Sequence, residues 1–135
     1  MTAAGDASGA APIPLGPTEV PVIKSLSLLT RKDGLSHEDF VKHWYEIHAP
    51  LAYAVPGVRR YVQSHILDER TRPDIPSTAV EVDGIAELWY DDREAMERAN
   101  ATPEAERLHA DGALFIGRIK SFVVEERVII PVPPE

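Results

Sequence analysis

No cysteine occurs anywhere in the 135 residues. Disulfides, a thiol nucleophile and thiolate metal sites are therefore excluded, and the composition suits a reducing, cytoplasmic setting. Basic runs are also missing, because 14 Lys and Arg are scattered among 22 acids for a formal charge of −8. Binding phosphates needs clustered cations, so nucleic acid and anionic membranes are not expected as partners. No Lys or Arg precedes Lys24, and no apolar stretch is long enough for a signal core or a membrane span. There is no Gly-rich phosphate loop, so nucleotide binding has no support. The histidines lack HExxH spacing, and the interval i, i+5 between His43 and His48 points two side chains apart on an α-helix, which argues against a metal site. Ser64 and His65 are neighbours on a strand and face opposite ways, which spoils a hydrolase reading.

What is present describes one small domain. Hydrophobic residues at 44% and charged residues at 27% are ordinary globular values, with room for one sheet and two helices. Residues 1–21 are rich in Ala, Gly, Ser and Pro and read as a tail, 22–130 as the domain, and 131–135 as a second short tail. Val22–Thr30 alternates as a strand, and Asp33-Gly34 signals a turn. Ser36 reads as an N-cap followed by Glu38 and Asp39, and Phe40, Trp44, Ile47 and Leu51 recur at helical spacing up to Pro56-Gly57. Val58–Asp68 alternates again, Glu69–Asp83 reads as a long loop of the kind that forms lids or binding loops, and Gly84–Tyr90 is a third strand. Asp92–Ala101 is a helix, Thr102-Pro103 restarts a second short one, and Lys120–Ile130 is the last strand.

The order is βαββαβ, an α+β fold with a four-stranded antiparallel sheet and helices on one face. Its other face is bare, and a symmetric dimer is the commonest cover for such a face.

The strings GLSHEDFVKHWYEIHAPLA, PGVRRYVQSHI, DGIAELWYDD and FVVEE, in that order, resemble an EthD-type domain of the dimeric α+β barrel (ferredoxin-like) superfamily. The resemblance spans about Lys24–Val128, and the helix string with its HAP end is its most specific part. It implies a homodimer whose two sheets face each other, with a ligand pocket near the sheet–helix junction of each protomer. It also implies a broad range of chemistry. Members include cofactor-free isomerases, dehydratases, decarboxylases and polyketide cyclases, as well as haem-dependent enzymes and monooxygenases. EthD-type proteins themselves often accompany oxidative degradation or biosynthesis.

Several residues are candidates for the chemistry. His48 shares a helix face with Trp44 and reads either as a general acid or base or as a helix-terminal residue that fixes the turn at Pro50. His43 lies one position off the apolar seam and reads as substrate-contacting or as a half-exposed structural residue. His37 and His109 are expected to be solvated. Tyr61, Gln63 and His65 share one strand face that lines either the pocket or the dimer barrel, and in both cases their polar groups need partners. Glu87, between Ile85 and Trp89, reads as a partly desolvated proton carrier or as the partner of Arg59 or Arg60. Trp44 and Trp89 are candidate pocket walls, with plain core packing as the alternative.

The expectation is a cofactor-independent lyase or isomerase acting on a small, carbonyl-bearing, aromatic or polyketide-like molecule. His48 or His65 would remove a proton α to the carbonyl, and Tyr61 or Glu87 would hydrogen-bond the enolate or protonate a leaving group. Gln63, Trp44, Trp89 and His43 would contact the substrate. A non-catalytic binding or accessory protein of an oxygenase pathway is the alternative. A haem-binding enzyme is the third reading, because one axial His suffices for haem.

Overall fold

A computed structural model describes residues 23–134. The tail read at 1–21, and Val22 at the start of the first strand, lie outside the described residues.

The chain forms β1 (Ile23–Arg31), α1 (His37–His43), a π-helical turn (Trp44–His48), α2 (Ala49–Ala52), β2 (Arg60–His65) and β3 (Gly84–Tyr90). These are followed by α3 (Arg93–Asn100), α4 (Pro103–Phe115) and β4 (Ile116–Glu125). The sheet order is β2-β3-β1-β4, antiparallel throughout, as the split βαβ reading requires. Local chemistry sets the helix starts. Ser36, Asp92 and Thr102 each accept an amide hydrogen three residues on, and Pro103 occupies the first turn of α4. Gly57, at φ +91°, makes the reversal into β2, a conformation that side chains with a Cβ avoid.

Alternation along the strands divides the sheet into two faces. One face carries Leu29, Tyr61, Ala86, Leu88 and Tyr90 against the helices, where Phe40, Trp44 and Phe115 are fully buried. The other carries Lys24, Leu26, Leu28, Val62, Ile85, Glu87, Trp89 and Phe122, and no helix of the described residues covers it.

Three boundaries differ from the sequence reading, and β2 is the first, at Arg60–His65 and not Val58–Asp68. The last strand is Ile116–Glu125, not Lys120–Ile130, because α4 runs on to Phe115 and passes into β4 with no loop between. Residues 126–134 carry no helix or strand. The second helix of the pair is the longer, at 13 residues, since its apolar stripe Leu108, Gly112 and Phe115 keeps helical spacing to the end. No described helix is long and apolar enough to cross a membrane.

Candidate active site

The helix after β1 does not stay α-helical. Pro50 has no N–H, and its ring crowds the carbonyl of Glu46 four residues back. The turn before it widens into the π-helix Trp44–His48, where the Ala49 amide reaches back five residues to the Trp44 carbonyl. This wider turn corrects the argument that His43 and His48 diverge. On an α-helix, five residues would set them about 140° apart. Across the π-turn the two are brought to the same side, and both hydrogen-bond the same carboxylate. His48 Nδ1–H donates to Asp111 Oδ2 at 2.8 Å, and His43 Nε2–H donates to both Asp111 oxygens at 3.1 Å. An ionised carboxylate only accepts, which fixes the tautomer of neutral His48 and leaves its Nε2 as a lone-pair acceptor.

His48 is 9% exposed and lines a cavity of about 610 Å³ between sheet and helices. The cavity wall is mostly apolar, from Leu29, Trp44, Ala86, Leu88 and Leu108, with Tyr61, Asn100, His109 and a Ser27–Ser121 pair as polar points. The two serine hydroxyls lie 2.7 Å apart. The size and the small number of polar groups are those of a small-molecule site. The helices leave β4 uncovered, so Ile119 and Val123 on that side of the cavity stay exposed, at 58% and 43%.

Burial pushes the His48 imidazole below its ordinary value, while the bond and the charge of Asp111 pull it back up. The net direction is downward, so His48 is neutral at neutral pH. Burial raises the Tyr61 hydroxyl, against hydrogen bonding from Gln63 and the Trp44 indole, so Tyr61 stays protonated.

Tyr61, Gln63 and His65 lie on the helix-covered face, which resolves the choice between pocket and open sheet face for this strand. Only Tyr61 reaches the central cavity. Gln63 and His65 line a second hollow of about 430 Å³ with Tyr45, Tyr53 and again Tyr61. His65 stacks on Trp44, with centroids 4.9 Å apart, so the Trp44 ring carries the cavity on one side and His65 on the other. The structure thus does not bring His48 and His65 into one cavity. His65 is pushed downward by burial and by the charge of His37.

Glu87 and Trp89 are not in either hollow. Both stand on the open face, because odd positions of β3 alternate away from the helices. The Glu87 partner is neither Arg59 nor Arg60. Lys24 Nζ donates to Glu87 Oε2 at 2.6 Å and to Glu126 at 2.9 Å, and the Trp89 indole donates to Glu126 at 2.6 Å. Lys24 and the Arg60 guanidinium lie over the Trp89 ring. His43 does not line the central cavity; it is held between Asp111 and the Phe115 ring. His37, expected in solvent, meets buried Asp83, which also accepts from the Arg31 amide and guanidinium. His109 is exposed, at the edge of the cavity.

The residue that sequence reasoning missed is Asp111. A signal was present: Leu108, Asp111, Gly112 and Phe115 form one helical stripe, and a carboxylate inside an apolar stripe needs a buried partner. Ser27 and Ser121 were also missed, since only the β1–β4 register makes them neighbours. Among the described residues, no group of three or more His, Cys, Asp or Glu is arranged to hold a metal ion.

The chain is similar to known proteins in sequence and in fold. Over 108 residues the chain is 29% identical to the 4-carboxymethyl-4-methylbutenolide mutase of Pseudomonas reinekei, covering 79% of this chain and all of that one. The crystal structure of an ethyl tert-butyl ether D family protein from Bacillus halodurans superposes at a TM-score of 0.64 with 25% identity, over 78% of this chain and 99% of that one. A dimeric ferredoxin-like protein of Thermobifida fusca superposes at 0.60 with 15% identity, over 80% and 93%, and speaks for the fold alone. The model of the EthD domain matches residues 32–119, which span α1 through the start of β4 and hold His43, His48, Tyr61 and Asp111. The chain belongs to the EthD domain family.

Proposed function

We propose that the protein is a cofactor-independent isomerase or lyase that works by acid–base catalysis on a small carbonyl compound in the central cavity. The observation that carries this is the His48–Asp111 pair: a neutral imidazole whose Nδ1–H is held by a carboxylate and whose Nε2 is left to an apolar cavity. His48 Nε2 removes a proton α to the substrate carbonyl, and Asp111 stabilises the imidazolium that forms. Tyr61 donates a hydrogen bond to the developing enolate oxygen. His48 then returns the proton at another carbon, which isomerises the substrate, or transfers it to a departing β-group, which makes the step an elimination. Each such group contributes on the order of 10²–10⁴-fold.

The mutase relative supports the isomerase form, because its name describes the rearrangement of a butenolide. The apolar wall, with Trp44 on one side, supports an aromatic or similarly flat carbonyl compound. Among the described residues the lining has no Lys, Arg, Asp or Glu, so the buried part of the ligand is uncharged. Glu87 is left out of the mechanism because it faces the other side of the sheet. The protein in this reading is a cytoplasmic homodimer joined through the open sheet faces. The apolar side chains on that face support it.

The test uses the butenolide α-angelica lactone. Conversion of α- to β-angelica lactone removes a proton next to the carbonyl and returns it further along the ring. The wild-type protein should accelerate it without added cofactor and incorporate solvent deuterium, and His48→Ala should lose on the order of a hundredfold in rate. Binding without turnover or exchange would leave an accessory binding protein.

A further inference from the structure

We propose that Gln63 is a positioning residue that fixes Tyr61 as a hydrogen-bond donor toward the central cavity. The inference rests on the acid–base reading of that cavity but is argued from a separate set of contacts. Every polar atom of the Gln63 side chain is engaged. Nε2 donates to the Trp44 carbonyl at 2.9 Å and to the Tyr61 hydroxyl at 2.8 Å, while Oε1 accepts from His65 Nε2–H at 2.9 Å. The assignment has one solution. A backbone carbonyl only accepts, so the atom 2.9 Å from it must be the NH₂ group, and the amide cannot be flipped without setting two oxygens against each other.

The consequence falls on Tyr61. Its oxygen receives a hydrogen bond from the side of the outer hollow, where Gln63 and His65 stand. The hydroxyl hydrogen therefore turns elsewhere, and the other space that Tyr61 lines is the central cavity with His48. A hydroxyl that already accepts, here from Gln63 and from the Trp44 indole, is also a better donor, because polarised chains of hydrogen bonds strengthen one another. Both Gln63 N–H groups are committed, so it has no donor left for a substrate, and its place is behind the reacting groups. The π-turn contributes as well, since it sets the Trp44 carbonyl where the Gln63 amide meets it beside the Ala49 amide.

The experiment reads the direction of the Tyr61–Gln63 bond without any ligand. The protein is labelled with 3-fluorotyrosine, and the Tyr61 resonance among four tyrosines is assigned by its loss in Tyr61→Phe. Its titration is then followed by fluorine NMR in wild type, Gln63→Met and Gln63→Glu. A donated bond favours tyrosinate, so removing it in Gln63→Met should move the titration to higher pH, and Gln63→Glu should move it further. A shift to lower pH, or none, in a folded Gln63→Met variant would overturn the proposal. Should neither variant fold, the wild-type protein still decides. Both Gln63 Nε2 hydrogens should be protected from exchange, and one exchanging freely overturns the proposal.

Activity then separates this inference from the wider reading. On α-angelica lactone, Gln63→Met should lower kcat about tenfold with KM little changed, and Gln63→Glu on the order of a hundredfold. If His48→Ala leaves turnover unchanged, the acid–base reading fails while the fluorine titration still judges Gln63.

Discussion

His48 Nδ1 stands 2.8 Å from Asp111 Oδ2, an imidazole on the π-turn bonded to a carboxylate in the middle of α4. Burial and the carboxylate pull the imidazole in opposite directions, and burial wins. Asp111→Asn removes the upward pull, so the acid limb of turnover against pH should move to lower pH. The amide also no longer stabilises an imidazolium, so the plateau rate should fall on the order of a hundredfold. A variant with unchanged limb and plateau would remove Asp111 from the mechanism.

The same burial makes a statement about stability. His48 has a lower pKa folded than unfolded, so the unfolded chain binds more protons in that range. The contribution is complete above the unfolded value of about 6.5 and is lost as pH falls through the lowered folded value. His65 has the same sign. Asp83 adds a second acid step. Burial acts to raise it, but the Arg31 amide, His37 and the Arg31 guanidinium outweigh that and hold it low. Its contribution is present above the ordinary Asp range and is lost as pH falls through its lowered value. Melting temperature should therefore fall as pH drops below about 6.5, and His48→Gln should flatten the first part of that fall.

Trp44 lies against Gly84. A Cβ built on that glycine would come within 2.3 Å of the Trp44 ring. Neither the strand backbone nor a fully buried indole has room to move aside, so Gly84→Ala should cost about 1–3 kcal/mol. The Trp44 ring separates the cavity from His65, and its displacement should also change ligand binding. Fluorescence in a Trp89→Phe background isolates Trp44 and should show its emission shifting in Gly84→Ala. An unshifted spectrum with an unchanged melt would contradict this packing.

Much of this architecture could be read in advance because one-dimensional periods encode it. Ser36 as a cap, Gly84–Tyr90 as a strand and Tyr61, Gln63 and His65 on one face each follow from spacing alone. The π-turn did not: one widened turn takes Ile47, placed by helical spacing on the seam with Phe40, Trp44 and Leu51, out to 55% exposure and turns His48 inward onto Asp111. The Glu87 partner failed for a different reason. Register, not sequence, puts Lys24 opposite Trp89 and so beside Glu87. Asp111 was legible as an oddity in an apolar stripe, but its role needed the partner helix.

Glu87 now supports a prediction opposite to a catalytic one. Its carboxylate and Lys24 are largely buried on the open face. Glu87→Gln should cost about 1–3 kcal/mol in stability and leave kcat on α-angelica lactone within about twofold. A large loss of kcat in a variant that folds normally would return Glu87 to the mechanism.

The open face also predicts assembly. Leu26, Val62, Ile85, Glu87 and Phe122 occupy it together, and Phe122 is 44% exposed in the single chain. Apolar surface of this kind is stabilised by about 25 cal/mol for each Å² removed from water, and a second copy supplies a matching face by symmetry. The protein should therefore run in light scattering at about twice its 14.9 kDa. Phe122→Glu buries a charge from each copy inside such a pair and should shift the equilibrium to monomer. Because Phe122 faces away from the cavity, the monomer should keep the His48–Asp111 pair and still bind ligand. A wild-type chain that is monomeric at micromolar concentration would mean the open face is covered by something other than a second copy.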